Sequence, residues 1–344
     1  MTNGPRDLAL RTGPRDLAQK VLDPGLCTLC GACLGLCPHL AVGRDRVVRS
    51  FDCGRETGRC YAVCPVAAVR EAPLPDAAGA PLGQVRSASW SRAGNADVRA
   101  VGQYGGTVSA LLVHLLETGR VAAARVAGPP SSPAFPLRPS ATWARNREEV
   151  LAAAGTRYVP RPGAEMRPGT WPEPVAFVGR PCEIRGLRRR LEVDPEAASV
   201  AIFIGLLCTW ALDHDLLVAY LRRHLDPAET WTMEMGRENL LVVRTQGSPL
   251  TFPLSEIRLL AREACRACAD FSAEAADVSV GSTEDDPTWN SLLVRTEAGE
   301  AVVEAAVAAG ALEVRPMPAE RLEALEVAAA RARARAAEVL HDLG

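Results

Sequence analysis

The chain predicts a mixed fold, α+β or α/β, with a small cysteine-rich segment in front and a helix behind. Three observations carry that expectation. From about residue 97, short apolar runs alternate with amphipathic stretches; seven of the eleven cysteines crowd between residues 27 and 64; and residues 319–343 are rich in Ala, Arg and Glu. At 344 residues the chain has room for two or three domains.

The elements follow in order. Residues 1–20 lack the apolar core of a secretory signal and carry a near-repeat, Gly-Pro-Arg-Asp-Leu-Ala, at 4–9 and 13–18, so residues 1–21 read as a mobile arm. The cysteine-rich stretch runs over 22–75, and a Pro-, Ala-, Gly- and Ser-rich linker covers 76–95. Gly105-Gly106 opens an apolar helix, Thr107 to Glu117, which Gly119 ends. A strand over Ala122 to Val126, an irregular proline-rich loop over 128–142 and a short helix, Glu148 to Ala154, come next. Val175 to Val178 and Val200 to Leu207 read as buried strands, each followed by a helix, Glu183 to Leu191 and Leu212 to His224. β signals occupy Thr232 to Thr245, Leu250 to Pro253, Ala276 to Val280 and Leu292 to Arg295. A helix over Glu300 to Ala309 has Gly310 as its cap, and the tail from Ala319 to Leu343 is a helix whose alternating charges predict a solvated face.

Net charge −2 and a pI near 6.3 give no electrostatic case for nucleic acid. The longest apolar run, Val200 to Leu212, is broken by Gly205 and Thr209 and falls short of the ~20 residues a membrane-spanning helix needs, so the expectation is a soluble cytoplasmic protein with no membrane span. Clumped cysteines in so long a chain point to metal or iron–sulfur ligation in a reducing compartment, not to disulfides.

Cys27-x2-Cys30-x2-Cys33-x3-Cys37-Pro38 is the bacterial ferredoxin run. Three cysteines two residues apart let one tight loop present three thiolates to a cubane. The fourth, before Pro, lies across the fold and serves a second cluster. Zinc sites instead pair two Cys-x2-Cys units across a longer spacer. A second run is incomplete: Cys60-x3-Cys64-Pro65 matches its end, Cys53 lies seven residues before Cys60, and Arg55-Glu56 stands where a middle cysteine belongs. The economical assignment gives Cys27, Cys30, Cys33 and Cys64 to one cubane and Cys37, Cys53 and Cys60 to another. The missing ligand is then Glu56, Asp52, His39, water or a partner residue. The alternative is one cluster and three spare cysteines. Cys182 and Cys208 follow buried strands, at the edge where open α/β sheets bind ligands, and Cys265-x2-Cys268 is a two-thiolate claw. Four thiolates suffice for a further cubane, although cysteine is also a common core residue.

Several stretches resemble the beta subunit of coenzyme F420-reducing hydrogenase and related dehydrogenases, in that family's order, over about 100–315. They are residues 105–112 (Gly-Gly-Thr-Val-Ser-Ala-Leu-Leu), 153–158 (Ala-Ala-Gly-Thr-Arg-Tyr), 175–182 (Val-Ala-Phe-Val-Gly-Arg-Pro-Cys), 205–208 (Gly-Leu-Leu-Cys), 265–271 (Cys-Arg-Ala-Cys-Ala-Asp-Phe), 276–282 (Ala-Asp-Val-Ser-Val-Gly-Ser), 289–291 (Trp-Asn-Ser) and 294–296 (Val-Arg-Thr). The resemblance implies a flavin-binding domain over 96–315 behind a ferredoxin-like 4Fe–4S domain (22–75), with a C-terminal helix at 316–344. It implies noncovalent FAD, a [4Fe–4S] cluster on Cys182, Cys208, Cys265 and Cys268, and so two or three clusters in all. Cofactor contacts are implied at Gly105, Gly106, Thr107, Gly155, Thr156, Arg157, Tyr158, Asp277, Ser279, Gly281 and Ser282. A Gly pair before a helix suits a pyrophosphate, but the pair alone is equally a turn. No G-x-G-x-x-G follows a strand.

Two departures stand out. Glu284, Asp285 and Asp286 replace small residues of the family's loop and would repel the anionic F420. Arg180 and Glu183 replace its usual Thr and Gln around Cys182. The implied function is a flavin- and iron–sulfur-dependent oxidoreductase subunit that exchanges electrons between an F420-like deazaflavin and a partner subunit or ferredoxin. The alternatives are an electron-transfer and docking subunit with no small-molecule substrate, or a ferredoxin-dependent reductase of an organic substrate. No acid–base residue is identified: His114, His214, His224 and His341 lie on expected helices, without an oriented partner.

Overall fold

A computed structural model describes residues 4–71, 80–167, 169–283 and 286–342. The chain opens with α1 (Pro5–Ala9), α2 (Pro14–Leu17) and a π-helical turn, Ala18–Leu22. This corrects the mobile arm. Each copy of the repeat is a helix start: Gly precedes the first turn, Pro takes the first helical position, and Leu8 or Leu17 enters the core. One large apolar residue per copy leaves no periodic signal to read.

The cysteine loop follows, then the hairpin β1 (Leu40–Val42) and β2 (Val47–Arg49), α3 (Arg59–Ala62) and α4 (Pro65–Arg70). Residues 72–79, the end of the expected cysteine-rich domain and the start of the expected linker, lie outside the described residues. Its later part is not linker: β3 (Ser87–Ala93) is an interior strand of the main sheet, hydrogen-bonded on both sides. Its Ser- and Ala-rich sequence hides this, because the pairing comes from two strands about two hundred residues or more later.

Next come α5 (Ala96–Val101), α6 (Thr107–Glu117), β4 (Ala123–Pro130), β5 (Pro139–Ala144) and α7 (Arg147–Ala152). The loop expected over 128–142 thus shrinks to the tip of a hairpin, with Pro139 tolerated because β5 is an edge strand. Then follow β6 (Val175–Gly179), α8 (Pro181–Val193), β7 (Val200–Leu206) and α9 (His214–Leu221). A small antiparallel sheet, β8 (Thr230–Met235), β9 (Asn239–Arg244) and β10 (Leu250–Pro253), leads to α10 (Leu254–Ile257). The chain ends with β11 (Val278–Ser282), β12 (Asn290–Val294), α11 (Glu297–Ala308), β13 (Leu312–Pro316) and α12 (Ala319–Asp342).

The main sheet has the order β13-β3-β12-β11-β7-β6-β4-β5, with β4, β6, β7 and β11 parallel and the rest antiparallel. Its side chains alternate between two cores. Ala176, Val178, Ile202 and Ile204 face α6 and α11. Val175, Phe177 and Phe203 face the other way, into a core shared with Leu8, Leu17, Tyr61, Val63 and the first cysteines. The cysteine-rich segment is therefore packed onto one face of the sheet through α8, and does not hang from a linker. α12 is also less solvated than its charges predict, since Leu325, Ala329, Ala332 and Ala336 are buried and the buried Arg333 lies 3.0 Å from Glu274. Among the described residues no helix is long and apolar enough to cross a membrane.

Candidate cofactor relay

All eleven cysteines are free, and their mutual influence sorts them into three groups, with Cys60 acting across on Cys33 and Cys182 on Cys30. Cys27, Cys30 and Cys33 line one loop whose intervening Leu29 and Ala32 are buried. Cys64 is the N-cap residue of α4, where the Val66 and Ala67 N–H groups favour its thiolate. Burial pushes the Cys64 thiol up to about 12, with Cys27 adding to the shift. Cys33 is raised by burial and then by Cys30, Cys27 and Cys64. In the second group burial lifts Cys60 to about 11, and Cys37 and Cys53 add to it. The third group is assembled by topology. Cys182 sits in the first turn of α8 after β6, Cys208 follows β7, and Cys265 and Cys268 come from a turn that reaches back to them. Burial lifts Cys182 to about 11 and Cys268 to about 12, and Cys265 raises both. Burial also raises Cys208, with Cys265, Cys182 and Cys268 adding to it.

Thiols this disfavoured as thiolates fit ligation to a cationic iron–sulfide core, whose iron reverses the penalty. Among the described residues no three His, Cys, Asp or Glu side chains converge tightly enough for a single ion. A cubane asks less, because each thiolate binds a different corner iron. A small, half-open pocket lies between Cys182 and Cys268 on one side and Thr28, Pro65 and Val66 on the other.

The first and third groups meet along α8. Gly186 is one turn beyond Cys182, about 6 Å along the axis. A Cβ on Gly186 would lie 3.3 Å from Cys30 Sγ and 2.9 Å from Ala32 Cβ. The Cys30 thiol is raised by burial, then by Cys64 and Cys182. Thr28, in the first loop, lines the same pocket as Cys182 and lowers its thiol pKa. Arginines fasten the two parts: Arg189 donates to the Ala62 carbonyl (2.8 Å), and Arg262 to those of Cys27 (2.9 Å) and Asp45 (2.7 Å). Arg180 and Glu183, the departures seen in the sequence, form a buried triad with Arg161. Glu183 lies 3.1 Å from Arg180 and 3.4 Å from Arg161. Although burial opposes it, these two cations hold the Glu183 carboxyl below its usual range, and Glu183, Cys182 and Cys208 keep Arg180 charged.

Several of the implied flavin contacts converge. Gly106 takes φ +71° at the start of α6, and a Cβ on Gly105 would lie 2.7 Å from the Ser91 carbonyl oxygen. Asn290 ties this turn to β11: its Oδ1 accepts from Thr107 N–H (3.1 Å) and its Nδ2 donates to the Gly281 carbonyl (3.3 Å). Gln103 ties it to the Gly155 loop, accepting from Thr156 N–H (2.7 Å) and donating to the Met233 carbonyl (2.7 Å). Tyr158 Oη accepts from Met235 N–H (2.8 Å). Arg157 is the informative member. Its Nε is buried without a hydrogen-bond partner, burial alone lowers its pKa, and its Nη1 lies 3.3 Å from where a Gly155 Cβ would be. Its Nη2 makes only a long bond to the Ala154 carbonyl (3.5 Å), and a guanidinium so sparsely paired beside a bare glycine loop fits a phosphate.

Asp277 and Ser279 are not brought there. Asp277 precedes β11 at the far end from Gly281, and its carboxylate is occupied by Arg188 (3.0 Å), Thr296 (2.9 Å) and Phe203 N–H (2.7 Å). Ser279 Oγ is buried between Arg295 (2.7 Å) and the Ala273 carbonyl (3.3 Å). These side chains hold the sheet, a role that polar residues on a strand also signal. The Ser282 carbonyl accepts from Arg321 (2.7 Å). Glu284 and Asp285 lie outside the described residues, whereas Asp286 pairs with Arg315 at 3.0 Å, which offsets its charge. Gln103, Asn290, Thr28 and Gly186 escaped the sequence reading as site residues, since no spacing marks them. His214 bonds Asp215 and the Pro136 carbonyl, and His224 packs on Tyr220 and Phe252.

Comparison with known proteins agrees with this layout. Family models for the coenzyme F420 hydrogenase/dehydrogenase beta subunit match residues 90–166 (N-terminal part) and 173–320 (C terminus), and a 4Fe-4S binding domain matches 20–42. The coenzyme F420-dependent sulfite reductase of Methanocaldococcus jannaschii is 29% identical over 305 residues, covering 82% of this chain but only 46% of that protein. The coenzyme F420 hydrogenase subunit beta of Methanothermobacter thermautotrophicus is 28% identical over 246 residues, 69% of this chain and 86% of that one. A chain of the F420-reducing [NiFe] hydrogenase complex from Methanosarcina barkeri shares the fold, with a TM-score of 0.69 and 24% identity over 76% of this chain and 94% of its own. The chain belongs to the coenzyme F420 hydrogenase/dehydrogenase beta subunit family and carries a 4Fe–4S binding domain ahead of the family's fold.

Proposed function

We propose that the protein is an FAD- and iron–sulfur-dependent oxidoreductase subunit that exchanges electrons between a deazaflavin of the F420 type and a partner, either a redox subunit or a ferredoxin. The observation that carries this reading is the contact along α8, where Cys182 of the third group and Cys30 of the first come together across Gly186. When bound, FAD exchanges two electrons as hydride and one at a time with clusters, which pass single electrons on.

The residues supply position and charge. The turn at Gly105-Gly106, the Gly155 loop and Arg157 would hold the flavin's phosphates, with Gln103 and Asn290 bracing the three segments. Cys182, Cys208, Cys265 and Cys268 would hold the cluster nearest the flavin, and Arg180 beside them would offset its negative charge. Cys27, Cys30, Cys33 and Cys64 would hold the next, and Cys37 and Cys53, which are partly exposed, with the buried Cys60, the outermost. Thr28 of the ferredoxin loop faces the same pocket as Cys182.

The test is an anaerobic titration of the iron- and flavin-loaded protein with reduced F420. Bleaching of the flavin followed by reduction of the clusters supports the reading. A flavin that stays oxidised with reduced F420, yet is reduced by ferredoxin or a co-purifying subunit, overturns the small-molecule arm in favour of a docking and electron-transfer subunit.

A further inference from the structure

The second cysteine group holds three thiols, Cys37, Cys53 and Cys60, against four in each of the others. Every iron of a cubane takes one ligand from outside the cluster, so one corner of a cluster here needs a donor other than cysteine. The nearby donors in sequence are Asp52, Glu56 and His39. The structure separates them.

The Asp52 side chain is 90% exposed and lies 3.6 Å from Arg49, facing solvent. Glu56 is exposed, and its backbone is pinned against the first helices. Gly58 N–H donates to the Thr12 carbonyl at 2.8 Å, and a Cβ on Gly13 would lie 2.5 Å from the Glu56 carbonyl oxygen. His39 differs. It is half-buried, its ring meets Phe51 edge-on at 6.4 Å, and its Nδ1 is sealed from water with no hydrogen-bond partner. It follows Cys37 by two residues, and its carbonyl accepts from Ser50 N–H at 2.8 Å, which lays it beside the segment leading into Cys53. The imidazole thus stands two residues after Cys37 and against Phe51, two residues before Cys53. A buried nitrogen without a partner is costly, and coordination to iron removes that cost. Imidazole replaces thiolate on iron elsewhere in iron–sulfur chemistry.

We propose that His39, through Nδ1, is the fourth ligand of the second cluster, making it a Cys3His site. This rests on the reading of Cys37, Cys53 and Cys60 as cluster ligands. A neutral nitrogen in place of a thiolate leaves the cluster one negative charge short, which raises its potential relative to an all-cysteine cubane.

The test is hyperfine EPR spectroscopy of the reduced, iron-loaded full chain, grown with 15N-histidine and compared with His39→Ala and His39→Cys. The expected result is one directly bound histidine nitrogen in the wild type, lost in both variants. His39→Ala should oxidise to a three-iron signal, and His39→Cys should recover a four-iron cluster with no nitrogen coupling. A wild type with a three-iron signal, a four-iron second cluster without histidine coupling, or coupling that survives in His39→Ala overturns the assignment of His39. Iron sufficient for the other two groups only, with no second-cluster signal, overturns the cluster reading beneath it as well. The wild-type spectrum decides the ligand even if a variant fails to assemble.

Discussion

The first and third cysteine groups have four thiols each and are built in opposite ways. Cys27, Cys30 and Cys33 lie on one loop, and Cys64 reaches them from the start of α4. Cys182, Cys208, Cys265 and Cys268 come from the ends of two parallel strands and a distant turn, so they meet only once the sheet has formed. A loop carries its geometry in local spacing. A set gathered by topology depends on the stability of the whole fold and on the buried charges that hold the strand ends. The contrast predicts which group fails first under stress, and each experiment below presses on it.

Single ligand removals give the largest effect. Cys182→Ser should lose the third cluster and stop electron transfer from flavin to the ferredoxin-type centres, while the flavin still reduces. Cys30→Ser should lose the first cluster and block transfer one step later, with the third cluster reduced and the outermost one oxidised. Iron content and stopped-flow spectra of the two variants distinguish the steps. A relay that still runs in Cys182→Ser would break the proposed order.

Glu183→Gln comes next. It leaves Arg161 and Arg180 charged and buried without their carboxylate. Breaking a buried ion pair from one side costs about 3–5 kcal/mol. The triad braces the turn that carries Cys182, so the third group should lose iron at lower denaturant than the first. Denaturation followed by both protein fluorescence and cluster absorbance measures this. Simultaneous loss of the two clusters would show that the local loop has no stability of its own.

The same contrast explains what could be read from the sequence. The ferredoxin run was legible because its ligands are neighbours and iron–sulfur chemistry fixes their spacing. The strands β6 and β7, buried on both faces, were legible as short apolar runs, and Thr107–Glu117 emerged with its ends correct because glycines mark both. Three features were not legible. The interior strand β3 draws its partners from residues 290–316, which local composition cannot reveal. The docking of residues 5–22 depends on a few leucines whose burial is set by α3 and α8. Asp277 and Ser279 carried the right residue types for a polar site, but their hydrogen bonds close the sheet instead. Polar identity alone does not say which end of a strand a side chain serves.

Arg157→Leu has a moderate effect and sharpens the comparison from the flavin side. Removing a charge-assisted contact to phosphate should weaken flavin binding by about 1.5–3 kcal/mol, roughly 10- to 100-fold in affinity. The flavin-free protein should be no less stable, because a buried guanidinium nitrogen without a partner disappears with the substitution. Flavin titration and thermal melts of the flavin-free protein test the two halves. A large loss of stability with unchanged flavin affinity would make Arg157 a structural residue.

Gly186→Ala has the smallest effect on stability and the most specific one on the relay. Alanine in a helix interior is favoured over glycine by about 1 kcal/mol. Here its methyl would lie 2.9 Å from Ala32 Cβ and 3.3 Å from Cys30 Sγ, well inside the ~3.5–4.0 Å optimum for carbon contacts. Overpacking of this kind costs about 1–3 kcal/mol, so the net destabilisation is ~0–2 kcal/mol. The strain falls on the contact between the first and third groups, and α8 relieves it by moving away from the cysteine loop. Electron transfer between the two clusters should slow while iron content, flavin binding and flavin reduction stay normal. A rate unchanged within error in a variant that keeps all its iron would mean that Gly186 serves packing alone, and that electrons cross between the two parts of the molecule somewhere other than α8.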